Sequence, residues 1–181
     1  KYTPLNQWWS WDDDSLITKG FHPSNNNSKT KLGKLLGTNY IDKLNRLNIL
    51  MVGCGALGCE WLKIASLLGI STKGEFVITD PDNIEKSNLN RQFLFRPEDI
   101  GKPKTISAAN NLRKINNSIN IIPYTDKVCN ENKNNNNLFK DKDIIINALD
   151  NIKARKFVDQ IFLNKNLPLF ESGTSGMKGN T

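Results

Sequence analysis

Residues 48–58 of the chain read NILMVGCGALG, an apolar, β-rich stretch that runs directly into a glycine motif. Gly53, Gly55 and Gly58 form the pattern GxGxxG, and the segment LGCEWLKIASLL at residues 57–68 reads as the helix that follows. In this context the first glycine allows a tight turn, the second lets backbone N–H groups approach a phosphate, and the third lets helix and strand pack closely. The stretch therefore predicts a nucleotide site at the carboxyl end of a strand.

The segments around this motif alternate between strand and helix patterns. Further strands are predicted at residues 75–80, 119–124, 143–149 and 168–172, and further helices at residues 39–45, 103–115 and 152–163. Strands that alternate with helices imply a mostly parallel sheet covered on both faces. We therefore expect an α/β, Rossmann-like fold with a mostly parallel sheet and helices on both faces. Pro123 favours the end of its strand or an edge of the sheet, because proline cannot donate to a ladder.

The first 45 residues differ from the rest of the chain. They hold the Trp-rich strip QWWSW at residues 7–11 and a polar, Asn-rich loop at residues 24–29. We predict that residues 1–45 lead in from a preceding part of a longer protein, and that residues 46–181 form the nucleotide-binding domain. The chain lacks an initiator Met, and residues 173–181 read as a loop cut before its next element, so a fragment is expected.

Composition narrows the classes of function. The net charge is +7, but the lysines are scattered among Asn and Asp, which favours a generally basic surface over nucleic-acid binding. No apolar run approaches the roughly 20 residues that a membrane span needs. Cys54, Cys59 and Cys129 are odd in number and include no CxxC pair, which favours reduced thiols in an intracellular protein and disfavours a zinc site. The Asn-rich segment at residues 130–137 reads as a surface insertion.

Asp80 ends the second predicted strand, in the place where a carboxylate is expected to bind ribose hydroxyls. The glycine motif together with this acid predicts nucleotide binding. It does not separate ATP from a dinucleotide redox cofactor, so an NAD-dependent oxidoreductase remains an alternative at this point.

A polar cluster, PDNIEKSNLNRQFLF at residues 81–95, follows Asp80. An enzyme that attacks a phosphorus centre needs cations and amide donors around the triphosphate, because negative charge accumulates there in the transition state. The guanidinium of Arg91 can bind two oxygens at once, and Lys104, near the start of the next helix, adds a point charge. For each residue alone, an ordinary surface cation is an equally good interpretation. The run Phe93–Phe95 can anchor the cluster in the core.

Asp150 follows the apolar strand at residues 143–149. A carboxylate at the carboxyl end of a parallel strand lies over the nucleotide crevice, where it could hold Mg²⁺ that bridges phosphates. Asp is also a favoured N-cap, and a helix is predicted to begin near Ile152, so a capping role is a compatible alternative.

These motifs together resemble the active adenylation half of the ubiquitin-activating enzymes, a family that includes bacterial, ThiF/MoeB-like enzymes that adenylate sulfur-carrier proteins. The resemblance is carried by Gly53–Gly58, Asp80, SNLNRQFLFRP at residues 87–97, KPK at residues 102–104, NALDN at residues 147–151 and ESGT at residues 171–174. It covers about residues 47–181. The FRP ending and the loop at residues 69–74 favour ubiquitin over the related modifiers SUMO and NEDD8, which remain alternatives.

The resemblance implies a reaction in which the C-terminal carboxylate of ubiquitin attacks the α-phosphate of ATP, giving an acyl adenylate and pyrophosphate. It implies ATP and Mg²⁺ as cofactors, and transfer of the acyl group to a catalytic cysteine outside this chain. Residues 46–181 would then be an adenylation domain truncated before the catalytic-cysteine domain. The implied partners are ubiquitin or a ubiquitin-like protein, an inactive adenylation half, the catalytic-cysteine domain and, through other domains, ubiquitin-conjugating enzymes. The implied location is the cytoplasm and nucleus.

The resemblance also implies a role for each matching residue. Asp80 would bind the ribose, Asp150 would ligate Mg²⁺, and Arg91 and Lys104 would stabilise the transition state. Phosphate and pocket contacts would come from Gly53, Gly55, Ala56, Gly58, Asn88, Arg91, Gln92 and Asn151. The set of Arg91, Lys104 and Asp150 argues against a further alternative, a non-catalytic pairing module similar to the inactive halves of the family.

Overall fold

The fold is given by a computed structural model. It describes residues 33, 36–128, 138–165, 167–175 and 178–180. The predictions for the Trp-rich strip at residues 7–11, the loop at residues 24–29 and the insertion at residues 130–137 lie outside the described residues.

The helices and strands follow the predicted alternation. In chain order they are α1 (Thr38–Arg46), β1 (Ile49–Val52), α2 (Ala56–Leu68), β2 (Phe76–Thr79), α3 (Lys104–Ile115), β3 (Ile121–Tyr124), β4 (Ile144–Asn147), α4 (Ile152–Lys165), β5 (Leu169–Glu171), β6 (Gly173–Ser175) and β7 (Lys178–Asn180). Short 3-10 helices at Lys86–Asn88 and Pro97–Asp99 lie between β2 and α3. The predicted elements are present, with small shifts at their ends. Within the described ranges, no helix is long and apolar enough to cross a membrane.

The chain divides into two units, residues 1–42 and 43–181. Of the first unit the structure describes Gly33 and residues 36–42, where α1 begins. The second unit carries the sheet and the glycine motif. The predicted domain boundary after residue 45 stays a prediction.

The first five strands form a parallel sheet in the order β3-β2-β1-β4-β5. In its centre Leu50 of β1 lies opposite Val77 of β2 on one side and Ile145 of β4 on the other. The chain adds β2 and β3 on one side of β1 and then crosses to add β4 and β5 on the other. The strand order therefore reverses between β1 and β4, and a crevice opens at their carboxyl ends. Pro123 lies in β3, an edge strand, as predicted.

Both faces of the sheet are covered. Ile49 and Met51 of β1 belong to a buried cluster that includes residues of α2 and α3. Leu50 and Val52, which alternate with them, belong to a second cluster that includes Val158 of α4. Because successive strand residues point to opposite faces, a strand with four buried residues in a row must have a layer on each side. The predicted Rossmann-like fold is confirmed.

The end of the chain differs from the prediction. Residues 173–181 were expected to be a loop, but β6 and β7 pair antiparallel, with Gly173 opposite Asn180 and Thr174 opposite Gly179. The sequences GTS and KGN have no alternating apolar pattern, so the local sequence carries no signal for this pairing. The prediction of a loop is therefore wrong for β6 and β7.

Asp99 holds the connection from β2 to α3 in place. Its carboxylate accepts hydrogen bonds from the backbone N–H of Arg96 at 3.1 Å, from Nδ2 of Asn111 at 3.1 Å and from Nζ of Lys102 at 3.3 Å. Asn111 also donates to the carbonyl of Leu94 at 2.8 Å, which ties the connection to α3. The predicted anchoring of this segment by its apolar run is confirmed, since Leu94 and its neighbour Phe95 are buried in the core.

Replacing Asp99 with asparagine should destabilise the fold in a pH-dependent way. Burial raises the pKa of the Asp99 carboxyl, but hydrogen bonds from Arg96, Asn111 and Lys102 outweigh burial and lower it. Ionised Asp99 therefore stabilises the fold above the ordinary carboxyl pKa of about 4, and this contribution is lost as pH falls through the lowered pKa. We expect Asp99→Asn to reduce the free energy of unfolding by about 1–2 kcal/mol at pH 7. Urea unfolding at pH 7 and pH 3 should show that the difference narrows at pH 3, and an equal difference at both would contradict this role.

Candidate functional site

The glycine motif forms the turn between β1 and α2. Gly53 has a φ of +100°, and a Cβ there would lie 2.6 Å from the carbonyl oxygen of Ala148, just beyond β4. A Cβ at Gly58 would lie 2.6 Å from the carbonyl oxygen of Gly53. Backbone packing therefore requires glycine at both positions, and it brings the turn against the residues that follow β4.

Gly55 is different, because the fold does not require a glycine there. Its φ of −80° and ψ of −152° are extended, and a Cβ would have no neighbour closer than Nε2 of Gln92 at 4.0 Å. Gly55 is the N-cap of α2, and among the described residues no side-chain hydrogen bond caps this helix. Open space beside the unpaired N–H groups of a first helical turn is what a phosphate group needs. Ala56, predicted to line the pocket, is the first residue of α2.

Asp80 follows β2 and holds the glycine turn. Its Oδ2 accepts the backbone N–H of Cys54 at 2.7 Å, and its Oδ1 accepts that of Asp82 at 2.8 Å. Burial raises the pKa of the Asp80 carboxyl, and these hydrogen bonds and the charge of Lys104 oppose that rise. Each carboxylate oxygen has a further lone pair, so Asp80 can hold the turn and also accept hydrogen bonds from ribose hydroxyls.

Lys104 places a buried cation beside the turn. Its side chain is 9% exposed, and its Nζ lies 2.7 Å from Oδ2 of Asp82, whose side chain is 63% exposed. Burial lowers the pKa of Lys104, but the hydrogen bond from Nζ to Asp82 and the charges of Asp80 and Asp82 outweigh burial and raise it. Lys104 is therefore fully charged at neutral pH.

Gln92 contributes an amide that lacks a partner. Its side chain is buried, and within the described parts of the chain its Oε1 has no hydrogen bond. Asn88 is also buried, but its Oδ1 accepts the backbone N–H of Glu85 at 3.0 Å. Nε2 of Gln92 lies 4.0 Å from a Cβ placed at Gly55, and the buried Oε1 of Gln92 can still accept a hydrogen bond from a ligand or water.

Arg91 is exposed on the same segment. Its Nη1 donates to the carbonyl of Ser87 at 2.9 Å and to Oδ1 of Asn90 at 3.1 Å. Among the described residues, no hydrogen bond or ion pair joins its guanidinium to the glycine turn. The structure thus gathers Gly55, Asp80, Gln92 and Lys104 at the crevice, whereas Arg91 is exposed and contacts Ser87 and Asn90.

Asp150 and Asn151 lie between β4 and α4. Oδ1 of Asn151 accepts the backbone N–H of Lys153 at 2.8 Å and of Ala154 at 3.4 Å, so Asn151 caps α4. The capping role considered for Asp150 is therefore wrong, because the helix begins at Ile152 and its cap is the residue directly before. Asp150 is exposed, and its carboxylate has no partner in the part of the chain that the structure describes. It remains available to a ligand.

Sequence reasoning assigned no role to several residues near the crevice. Asn147 is fully buried at the end of β4, and its Nδ2 donates to Oε2 of Glu171 at 3.0 Å. Nη1 of Arg155 lies 2.6 Å from Oε1 of Glu171. The sequence offered one signal for this network. Asn147 is an amide at the end of the apolar run of β4, and a buried polar side chain needs a partner. For Asp82, the partner of Lys104, no local signal exists.

These groups fit a nucleoside triphosphate with Mg²⁺. The space at Gly55 and the ammonium of Lys104 suit phosphate oxygens, and the unpartnered Oε1 of Gln92 can accept a hydrogen bond from a hydroxyl or amine of the ligand. Within the described ranges no group of three or more His, Cys, Asp or Glu side chains could hold a metal. A lone carboxylate such as that of Asp150 suits Mg²⁺, which is commonly bound through one or two carboxylates together with substrate phosphates.

Comparison with known proteins places this geometry in context. The profile of the ThiF family matches residues 28–181. Over its whole length the chain is 44% identical to the Homo sapiens protein named ubiquitin-like modifier-activating enzyme 6. It is likewise 40% identical to the Candida albicans (strain WO-1) protein named ubiquitin-activating enzyme E1 1. The chain spans 18% and 19% of the length of these two relatives.

A solved structure shares the fold. The E. coli tRNA N6-threonylcarbamoyladenosine dehydratase TcdA, solved in complex with ATP, superposes with a TM-score of 0.73 at 22% identity. The match covers 81% of this chain and 59% of that protein. At this identity the likeness concerns the fold.

Proposed function

The chain belongs to the ThiF family, and we propose that it is the ATP-binding part of an adenylation domain that activates ubiquitin. The observation that carries this proposal is the set of groups around Gly55. An open helix N-terminus and the buried ammonium of Lys104 lie at one crevice and suit phosphates, and the unpartnered amide oxygen of Gln92 can accept a hydrogen bond from another part of the ligand. The names of the two relatives and the ATP bound to TcdA support the same function.

In the proposed reaction, a carboxylate oxygen of the ubiquitin C-terminus forms a bond to the α-phosphorus of ATP. The bond from that phosphorus to the bridging oxygen of pyrophosphate breaks, so the products are an acyl adenylate and pyrophosphate. The turn at Gly55 binds phosphate oxygens, Asp80 orients the ribose, and Lys104 offsets the negative charge that develops. Asp150, together with the phosphates, would hold Mg²⁺, which would supply further positive charge beside the phosphate oxygens. Arg91, which is exposed next to Gln92 in the chain, would add its charge.

The acyl group would pass to a cysteine elsewhere in the enzyme. Cys54 and Cys59 are fully buried in the core, so neither can receive a protein C-terminus. We propose that this acceptor lies in a separate catalytic-cysteine domain, that ubiquitin-conjugating enzymes then receive the modifier, and that the enzyme works in the cytoplasm and nucleus.

An inactive adenylation half is the proposed neighbour of this domain. Ile64 and Leu67 of α2 and Phe170 of β5 are large apolar side chains that are exposed to solvent. Contact with a partner half would cover such side chains, and it could bring an additional cation to the nucleotide.

The function can be tested in the full-length protein. We expect ATP–pyrophosphate exchange that depends on ubiquitin, followed by a thioester with ubiquitin that is more abundant than those with SUMO and NEDD8. ATP and NADH should also be titrated separately against the intrinsic fluorescence. Tight binding of NADH without a response to ATP would reject the proposal in favour of an oxidoreductase, and preference for SUMO or NEDD8 would reassign the modifier.

Replacing Gly55 with alanine should weaken ATP binding without destabilising the fold. The methyl group fits the fold, because its nearest neighbour would lie 4.0 Å away, but it occupies the space in which phosphates approach α2. We expect ATP affinity to fall by about tenfold or more, equivalent to about 1.4 kcal/mol, with little change in the thermal midpoint. Titration with a fluorescent ATP analogue and thermal unfolding measure the two effects.

Gly58→Ala is the matched contrast. Its Cβ would lie 2.6 Å from the carbonyl oxygen of Gly53, so the thermal midpoint should fall clearly. A folded Gly55→Ala variant with unchanged ATP affinity would show that phosphates do not bind at this turn.

A further inference from the structure

We propose that Arg155 is a positioning residue for adenylation: it fixes the loop that carries Asp150 against the nucleotide crevice. This inference rests on the proposed function and adds to it a residue that does not touch the nucleotide. Arg155 lies near the start of α4, and its guanidinium joins two segments. Nε donates to the carbonyl of Leu149 at 2.7 Å, Nη1 pairs with Oε1 of Glu171 at 2.6 Å, and Nη2 donates to the carbonyl of Ser172 at 2.8 Å.

The ion pair of Arg155 is itself held in place. Oε2 of Glu171, the oxygen that Arg155 does not use, accepts Nδ2 of the fully buried Asn147 at 3.0 Å. Oδ1 of Asn147 in turn lies 3.4 Å from the backbone nitrogen of Leu149, which donates to it. Leu149 is therefore bound at both its N–H and its carbonyl by one connected network. Such networks fix a geometry more firmly than isolated pairs do.

Close packing surrounds the same loop. A Cβ at Gly53 would lie 2.6 Å from the carbonyl oxygen of Ala148, and a Cβ at Gly173 would lie 3.0 Å from Nη1 of Arg155. The absence of side chains at both glycines lets the glycine turn, the loop and the guanidinium approach each other. The backbone immediately before Asp150 is thus held between the glycine turn on one side and Arg155 on the other.

Asp150 depends on this support because it has none of its own. Its carboxylate is exposed and has no partner among the described residues, so the backbone of Leu149 decides where it stands. Displacement of a catalytic group by about 1 Å can reduce a rate by about a hundredfold. Lysine could not replace Arg155, because one ammonium group cannot reproduce the planar guanidinium, which binds Leu149, Glu171 and Ser172 together.

The test measures how much Mg²⁺ strengthens ATP binding to the full-length protein. The quantity is the Kd for ATP in EDTA divided by the Kd in Mg²⁺, obtained by fluorescence titration. We expect Arg155→Lys to reduce this ratio about tenfold and to leave the Kd in EDTA within about twofold, because only the Asp150 loop is displaced. Deuterium exchange at the backbone amides of Leu149 and Asp150 should become faster. Lys156→Ala, an exposed neighbour on α4, should match the unmodified protein in both measurements.

A double substitution decides whether Arg155 acts through Asp150. In the Asp150→Ala background, Arg155→Lys should change the Mg²⁺ ratio by less than about twofold, because the group that it positions is gone. An equal effect of Arg155→Lys in both backgrounds would overturn the proposal, as would an unchanged ratio in a folded Arg155→Lys variant. A parallel loss of ATP affinity with and without Mg²⁺ would likewise assign Arg155 to general stability alone.

The proposed function can fail independently of this role. If the unmodified protein binds no ATP, or shows no exchange with ubiquitin, SUMO or NEDD8, adenylation is rejected whatever Arg155 does. If exchange is normal but the Mg²⁺ ratio and the amide exchange of Arg155→Lys are unchanged, the positioning role is rejected and adenylation stands.

Discussion

Replacing Asp150 with alanine in the full-length protein should abolish ubiquitin-dependent ATP–pyrophosphate exchange, with a loss of about a thousandfold or more. A metal ion on transferring phosphate groups contributes several kcal/mol of charge stabilisation in the transition state, and about 4 kcal/mol corresponds to that loss. The structure sharpens this expectation. Because the carboxylate of Asp150 has no partner among the described residues, its removal breaks no contact there and leaves no buried group unpaired.

The thermal midpoint of Asp150→Ala should therefore equal that of the unmodified protein, while exchange is lost. Asp159→Ala removes an exposed carboxylate from the adjoining helix α4 and should leave both properties unchanged. Exchange is measured by incorporation of labelled pyrophosphate into ATP at saturating Mg²⁺. A folded Asp150→Ala variant with normal exchange would refute the metal-binding role of this residue.

Replacing Lys104 with methionine should lower the kcat of exchange by about 100- to 1,000-fold, the loss typical of removing one preorganised electrostatic contact from a transition state. Lys104 is held beside the glycine turn by its ion pair with Asp82, and its side chain is 9% exposed. A cation in this position needs no reorganisation when charge develops on the phosphates. Methionine keeps the apolar stem, so that packing around it is largely preserved.

The fold should tolerate Lys104→Met, because Asp82 is largely exposed and can be solvated once its partner is removed. Lys114→Met, at an exposed position of the same helix, is the matched control for loss of positive charge. In the unmodified protein, titration of Lys104 should cause no inflection in kcat between pH 6 and 9. The hydrogen bond to Asp82 and the nearby carboxylates raise the pKa of Lys104 by more than burial lowers it. Retention of more than about a third of kcat in Lys104→Met would show that Lys104 does not stabilise the transition state.

Local patterns were sufficient to predict the strands and helices of the nucleotide domain. The apolar run of β1 and the glycines that end it mark a strand that is buried on both faces. Gly69, which has a left-handed backbone conformation and ends α2, is a common signal for the end of a helix. Where such signals were absent, prediction failed: the paired strands β6 and β7 carry no apolar alternation, and nothing in the local sequence shows that Asn151 rather than Asp150 caps α4.

The sequence by itself determined the fold class and the position of the nucleotide crevice. Both follow from periodicity and turn chemistry, which depend on residues within a few positions of each other. It also proposed which groups line the crevice, from their places after parallel strands and from the resemblance of the motifs, and their binding roles stay predictions.

Only the tertiary structure decided how these groups are held. Lys104 is paired with Asp82, and the carbonyl of Leu149, just before Asp150, is bound by Arg155, which itself pairs with Glu171. It also showed that, of the three glycines of the motif, Gly55 is the one whose side-chain space remains open. Residues that pair in this way are brought together by sheet register and helix packing. Their separation along the chain follows no helical or strand periodicity. Their contacts therefore follow from which strands are neighbours, which the pattern of any single segment cannot specify.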